Sequence, residues 1–583
     1  MTPAYIPPIA ALTSQNSAET LVGSRSSIEK GFPPEKCDAS WFLASPTPSE
    51  IDSEIKWRRG PGFWRCFIAV CIPILLSAFE GSVVSTALPT ISSALGIGSN
   101  SSWVATAFLL ASIVFQPLYG QLADIWGRRH LMMFAVVIFC VGSIICGVTK
   151  SGAVLIFGRI VQGIGSGGID LFAELILCDI IPLSKRGHYV AIKAAVYALG
   201  TTVGPLLGGV FAQGPPQMWR WCFYINIPVS IVALVMMMFW LRVTNGSGFV
   251  ECSLKDKLKQ VDYTGILLLT MAVVLFLFAM TTGGTVHPWL SPAIFVPLGI
   301  AVIELTAFVF WERSRWCTHP IMSPHVFSNR TTIAAFVITV LHGFITYAFQ
   351  FYLPPFFQSV LGASPAQSGE LILPCTLSIV IFASLGGPVL AKFGRYRLMH
   401  QVGFFLMIAG LTPCIFVNSS AKGLWILFSL LVGIGSGIIV STTLPTVLVE
   451  LTDKDNAAAT GSWAFLRGLG SLLGVAIPNA VFNAQFELGL ELVDDTAVRA
   501  QFGKGLAYEH ASAAFISKLS PEIKNTIIDT FRESFKLVWG VFFAFAVFGF
   551  FVTWMENQVS LRKELDSDYG LEKKTKNVEK IIV

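Results

Sequence analysis

Charge is what this sequence has least of. Only 13% of its 583 residues are Asp, Glu, Lys or Arg, and 54% are hydrophobic; a soluble domain carries about 25% charge. That shortage excludes an ordinary water-soluble chain and points to lipid as the solvent. Runs of about ten residues alternating apolar and polar are missing too, which excludes a β-barrel. The first 55 residues are polar, rich in Ser, Pro and Glu, and lack an apolar core, so a disordered tail is expected there rather than a cleaved signal. The 11 cysteines form no CxxC pair and no Cys/His metal spacing. Cys71, Cys140, Cys146, Cys178, Cys375 and Cys414 read as small apolar filler inside hydrophobic runs. No HExxH, nucleotide-binding loop or Ser/His/Asp arrangement occurs, which argues against an enzyme and against an ATP-driven pump. No cofactor, no metal and no nucleic-acid partner is expected.

What is present is a succession of apolar runs of about 20 residues, each long enough to cross a bilayer as a helix. Fourteen are expected, near 67–89, 103–122, 131–148, 153–179, 189–211, 221–241, 262–281, 291–311, 332–356, 369–390, 398–417, 424–446, 461–482 and 536–555. With the N-terminus in the cytoplasm, the inner loops hold Arg128, Arg129, Lys185, Arg186, Arg242, Lys255, Lys257, Lys259, Arg313, Arg315, Lys392, Arg395 and Arg397. The short outer loops hold only Lys150, Arg220 and Lys422. Positive-inside bias therefore puts both termini in the cytosol. The sequons at Asn100 and Asn418 fall outside and are glycosylation candidates, whereas those at Asn245 and Asn329 fall inside.

An internal repeat divides the chain. Gly120–Arg129, after span 2, has a degraded copy at Gly387–Arg397 after span 10, displaced by 267 residues. Gly-Ile-Gly-Ser-Gly at 163–167 returns at 433–437, and Gly200 and Gly204 return as Gly470 and Gly474, both displaced by 270. Spans 1–6 thus correspond to spans 9–14, and spans 7 and 8 are an insertion. The expected division is a cytosolic tail at 1–62, an N-terminal half at 63–245, an inserted region at 246–325, a C-terminal half at 326–556 with a long outer loop at 483–535, and a tail at 557–583. Two like-oriented six-helix halves are the parallel-repeat plan of secondary transporters, which bind cargo between the halves.

Charged residues inside the spans carry the functional expectations, because they are costly in lipid unless partnered or wet. Glu80 in span 1 and Arg159 in span 4 lie at similar depth and are expected to pair, with Glu80 a proton carrier whose protonation breaks the pair. Asp170 and Glu174 share one face of span 4; Glu174 is expected to pair with Lys193, leaving Asp170 toward the cavity for a proton or a cargo cation. No partner is assignable to Glu304 or Arg467. Gly200-x3-Gly204-Pro205-x2-Gly208-Gly209 gives span 5 a small-residue face and a proline kink, read as a hinge or seal. Asp124, Gly127, Arg128 and Arg129 read as a one-sided latch on the inner face, since the copy has Ala391 at the equivalent place. In span 9, His342, Tyr347, Gln350 and Tyr352 stand among aromatics; Tyr347 and Gln350 suit a cavity for bulky amphipathic ligands.

These residues resemble the major facilitator superfamily, in particular its fourteen-span drug:proton antiporter branch, abundant in fungi. Gly120–Arg129 is similar to that superfamily's motif A, Arg159-Ile-Val-Gln162-Gly163-Ile-Gly165 to motif B, and Gly200–Gly209 to motif C, the antiporter signature. Phe79–Pro89 is similar to the branch's first-span motif, with Glu80 in place of Asp, and Trp219–Pro228, containing Asn226, to its sixth-span motif. The resemblance implies an all-α membrane fold and proton-driven export of drugs, toxins or metabolites by alternating access. It implies proton-linked roles for Glu80, Arg159 and Asp124, and cavity positions at Gln162 and Asn226. Asp170, Glu174 and Lys193 depart from the branch, where small or apolar residues are usual. A monomer in the plasma membrane is expected, with small organic molecules, protons and lipid as its partners. The alternatives are proton-coupled uptake, a vacuolar carrier of siderophores or basic amino acids, and a transporter-like receptor.

Overall fold

The computed structural model describes residues 60–559 and 570–571, apart from 98–100, 182, 214, 216, 242, 245–260, 285–286, 364, 417–421, 453–454, 504–506, 508–510 and 512. The expected tails, Asn100 and Asn418 therefore lie largely or wholly outside the described residues. Among those described, fourteen helices are long and apolar enough to cross a bilayer. Span 1 is Pro61–Leu95, and span 2 is a pair of helices, Ser101–Val114 and Gln116–Trp126, meeting at Phe115. Spans 3 to 5 are Arg128–Val148, Gly152–Ile180 and Leu183–Gln213. Span 6 runs over Met218–Trp240. The inserted pair is Tyr263–Thr282 and Pro292–Glu312. Spans 9 to 14 are Arg330–Ser359, Pro365–Phe393, Tyr396–Phe416, Lys422–Leu448, Asn456–Leu490 and Pro521–Val552.

Local chemistry explains several of these boundaries. The Ser151 hydroxyl accepts from the Val154 amide to start span 4, and the Asp262 carboxylate accepts from the Gly265 amide at 2.9 Å to start span 7. Pro292 and Pro521 sit in the first turn of their helices, where no amide is missed. Gly127 and its repeat mate Gly394 turn the chain with φ of 81° and 65°, a region that favours glycine.

One boundary differs from the sequence reading. Spans 13 and 14 extend well past 482 and before 536, because residues 521–535 are amphipathic and lay Phe531 and Phe535 against Phe482 and Phe486 of span 13. The intervening segment shrinks to 491–520 and contains a short helix, Thr496–Phe502, capped by Asp495.

The repeat reappears in the packing. Span 1 packs on span 5 as span 9 packs on span 13; span 3 packs on spans 4 and 6 as span 11 packs on spans 12 and 14. Between the halves, span 5 meets span 10 and span 2 meets span 13. Gly200 and Gly204 make the first of these packings possible, since a Cβ at Gly200 would sit 2.7 Å from the Leu75 carbonyl oxygen. Gly470 and Gly474 do the same for span 13, where a Cβ at Gly470 would sit 2.2 Å from the Val340 carbonyl oxygen.

Apolar clusters show where the halves touch. At the Lys/Arg-rich end, Cys178 of span 4 packs with Phe336 of span 9, Leu444 of span 12 and Trp463 of span 13. Near mid-depth, Ile113 of span 2 packs with Phe465 and Leu472 of span 13 and with Leu269 of the inserted pair. Toward the opposite end, clusters draw on one half each: Phe79, Val104, Leu155 and Phe223 in the first half, Phe357, Trp425, Phe486 and Phe531 in the second. The halves are therefore closed at the Lys/Arg-rich end, and the cleft between them opens the other way.

Candidate functional site

Two polar assemblies lie on a single stripe of span 4: Arg159, Gln162, Ser166, Asp170 and Glu174, spaced three or four residues apart and so stacked along one face. The first is sealed. Arg159 Nη1 donates to Glu80 Oε1, and Asn226 Nδ2 of span 6 donates to the other Glu80 oxygen. Arg159 also donates through Nε to the Val104 carbonyl of span 2 at 3.0 Å and through Nη1 to Gln162 Oε1 at 2.8 Å. Gln162 Nε2 donates to Ser143 Oγ of span 3 at 2.8 Å, and the guanidinium lies 4.2 Å from the centre of the Phe108 ring. Glu80, Gln162 and Asn226 have no exposed surface. One ion pair thus ties together spans 1, 2, 3, 4 and 6. Gln162 and Asn226, expected at the cavity wall, belong instead to this buried network, because their amides complete the shell of the ion pair.

The second assembly faces the cleft. Lys193 of span 5 pairs with Glu174. Asp170 lies beside the Ser77 hydroxyl and within electrostatic reach of Lys193 and, from the other half, Arg467. Tyr197 is within reach of Asp170, Tyr347 and Arg467. Tyr197 and Tyr347 keep 42% and 39% of their surface exposed, although both sit at mid-helix between the halves. Tyr197 and Arg467 are repeat mates, displaced by 270 residues, as are Glu80 and Gln350. Ser166 and Ser436 are mates as well: Ser166 bonds Ser77 of span 1 at 2.6 Å, and Ser436 bonds Thr346 of span 9 at 2.8 Å and His342 at 2.9 Å. The acid of the first half becomes a neutral amide in the second, so the ion-pair chemistry is one-sided.

The residues read as a latch from the sequence sit at the closed end. Arg128 is buried against Asp179 of span 4 at 3.1 Å, and Arg129 donates to the Met238 carbonyl of span 6 at 2.8 Å. Both arginines thus brace their own half. The side chains of Asp124 and Pro205 lie outside the described residues. One contact across the halves at this end is a glycine approach, since a Cβ at Gly461 would sit 3.3 Å from the Gly120 Cα. Gln121 ties the same helix to the inserted region, donating to the His319 carbonyl at 2.5 Å and accepting from the Asp262 amide at 3.2 Å. Asp262 also accepts from Trp311 Nε1 at 2.9 Å and from the Cys317 thiol at 3.4 Å, while Glu312 accepts from the Ile321 and Met322 amides. Burial and the Asp262 carboxylate push the Cys317 thiol up to about 12. Of the motif C glycines, Gly200 and Gly204 face span 1, Gly208 is buried, and Gly209 meets nothing within 4 Å. Glu304 keeps one buried oxygen without a hydrogen bond.

Comparison with known proteins bears on this arrangement. The family model described as Major Facilitator Superfamily matches residues 70–475. The chain belongs to that superfamily. An MFS-type efflux transporter, ffsH of Aspergillus flavipes, is 38% identical over 90% of this chain and 90% of its own length. The MFS-type efflux pump LUC4 of a Fusarium species is also 38% identical, over 90% of this chain and 92% of its own. Among solved structures, the human organic anion transporter MFSD10 superposes with a TM-score of 0.54 at 14% identity, over 85% of this chain and all of that one. The proton:xylose symporter XylE superposes with a TM-score of 0.51 at 14% identity, over 79% of this chain and 96% of that one. These two likenesses show the fold alone.

Sequence reasoning did not anticipate Ser77, Ser143, Tyr197 or Asp179. The repeat contained a signal for Tyr197, since the displacement of 270 maps it onto Arg467, already singled out as a charge inside a span.

Proposed function

We propose that this chain exports small amphipathic organic molecules, such as drugs, toxins or secondary metabolites, in exchange for protons. It works as a monomer in the plasma membrane with both termini cytosolic, so the cleft described above opens outward. Export rests on one observation: relatives alike over nine-tenths of the chain are named efflux transporters and efflux pumps. Proton exchange is supported by the placement of Arg159 and Asp170 on one stripe of span 4, with Glu80 of span 1 paired to Arg159.

In this mechanism an outside proton meets Asp170 first, because Asp170 stands at the open cleft while Glu80 is sealed. The stripe of Ser166 and Gln162 then leads toward Glu80. A neutral Glu80 releases Arg159, loosening the tie among five helices of the first half and letting that half rock against the other. Release of the proton to the cytosol restores the pair. The Gly120–Gly461 approach is the surface that must part for inward opening.

The test is efflux from vesicles under an imposed pH gradient, with a panel of amphipathic drugs and fungal metabolites. Transport should follow the gradient, and Glu80→Gln should abolish uphill movement while cargo still binds. Accumulation indifferent to the gradient removes the exchange reading. Uphill pumping by Glu80→Gln transfers the proton to Asp170.

A further inference from the structure

The geometry points to Arg467 as the anchor for the acidic group of the cargo, which makes the transported class amphipathic organic acids that also carry a hydrogen-bond donor. The inference deepens the export reading and rests on it, because it assumes that the cleft is where cargo sits.

Three basic side chains packed within the first half have carboxylate partners: Arg159 has Glu80, Arg128 has Asp179 and Lys193 has Glu174. Arg467 has none. Among the described residues, no acceptor takes a hydrogen bond from its guanidinium, and Asp170, within electrostatic reach across the cleft, forms no ion pair with it. A guanidinium left so in lipid is costly, and one left so at a wet cleft is a binding group. The head is held in place from behind. It stacks over Trp463 at 5.4 Å, and the Trp463 indole N–H is fixed by Thr443 Oγ1 at 3.3 Å. Five N–H donors in a planar fork match a carboxylate or an enolate oxygen pair.

The facing wall sets the rest of the cargo. Asp170 in the first half offers an acceptor opposite the Arg467 donors, so a bound acid turns a hydroxyl, amide N–H or ammonium toward Asp170. The exposed rings of Tyr197 and Tyr347 cover the apolar body between the two poles. This polarity also gives the sign of coupling. A cargo donor needs Asp170 ionised, so an incoming proton and the cargo compete for the same carboxylate, as exchange requires.

The experiment uses the full-length protein in lipid nanodiscs and a panel of aryl hydroxy acids, indole-3-lactic acid among them, each paired with its methyl ester. Equilibrium binding should favour acid over ester at least tenfold. Arg467→Gln should remove that preference while ester binding and thermal unfolding change little, and Arg467→Lys should keep part of it. Acid binding should weaken as pH falls, and Asp170→Asn should flatten that dependence. Equal affinity for acids and esters, a preference that survives Arg467→Gln, or no binding by any acid overturns the inference. Vesicle export of neutral amphiphiles under a pH gradient tests the underlying reading separately: if they move and the acids fail, only the Arg467 assignment falls.

Discussion

Arg159 reaches Glu80 on span 1 and Gln162 one turn along its own helix through the same nitrogen, so a single guanidinium orients both the acid and the amide. Removing one member of a buried ion pair leaves the other charge uncompensated, at a cost of about 3–5 kcal/mol. Arg159→Gln should therefore lower the unfolding temperature of the purified protein sharply, and adding Glu80→Gln should recover most of the loss. Glu80→Gln alone should fall between the other two, since the Gln amide keeps an acceptor for Arg159 but leaves its charge uncompensated. A double variant no more stable than Arg159→Gln would show that the pair is not an energetic unit.

The glycines of spans 5 and 13 offer a matched pair of substitutions. A Cβ at Gly200 would crowd the Leu75 carbonyl at 2.7 Å, and one at Gly470 the Val340 carbonyl at 2.2 Å. Neither neighbour is the end of a flexible side chain, so backbone must move, and overpacking of this kind costs about 1–3 kcal/mol. Gly470→Ala should lower the unfolding temperature more than Gly200→Ala, and Gly209→Ala, with open space around it, should leave it unchanged. Thermal unfolding of the three variants in one detergent checks the order.

The fourteen spans were legible because lipid leaves little choice: every backbone group must be paired within the span, so hydropathy reports the element directly. The Glu80–Arg159 and Glu174–Lys193 pairs were legible for a related reason, since charges placed at equal depth must find each other. Amphipathic helix was less legible. The stretch at 521–535 buries its phenylalanines on span 13 and not in lipid, so its mean hydropathy resembles that of a loop. Gln162 and Asn226 were misplaced because sequence gives the depth of a polar residue and not its azimuth. An amide that faces an ion pair and one that faces a cavity look the same from outside. Asp179 was missed because it sits at the end of span 4, where an acid costs little and draws no attention.

At the closed end, Gly120 and Gly461 approach each other across the two halves, and both lie on helices that must separate for inward opening. Cysteines at these two positions should form a disulfide under mild oxidation, identified by mass spectrometry of the linked peptides. The linked protein should bind cargo and transport none, and reduction should restore transport. Cargo or a pH gradient that populates the inward-open form should slow the linkage. Full transport by the linked protein would exclude rocking of the halves at this surface.

Cys317 gives a pH prediction outside the spans. Its thiol donates to Asp262, and burial with the neighbouring Asp262 and Glu312 carboxylates pushes it up to about 12, so the neutral form is favoured. The sign follows from that: the thiol bond is present at neutral pH and is lost only as pH rises through that raised value, whereas an ordinary cysteine ionises near 8.5. Alkylation by iodoacetamide follows the thiolate. At pH 8.5, Cys317 in the folded protein should therefore react at least about tenfold more slowly than the same cysteine in denaturant. Asp262→Asn removes the closest negative charge and should speed the folded reaction, though not to the denatured rate, because burial, the larger cause, remains. It should also loosen the joint among Gln121, Trp311 and the start of span 7, visible as faster amide exchange at 262–266. A folded Cys317 that alkylates as fast as the denatured one would place the thiol in water and away from Asp262.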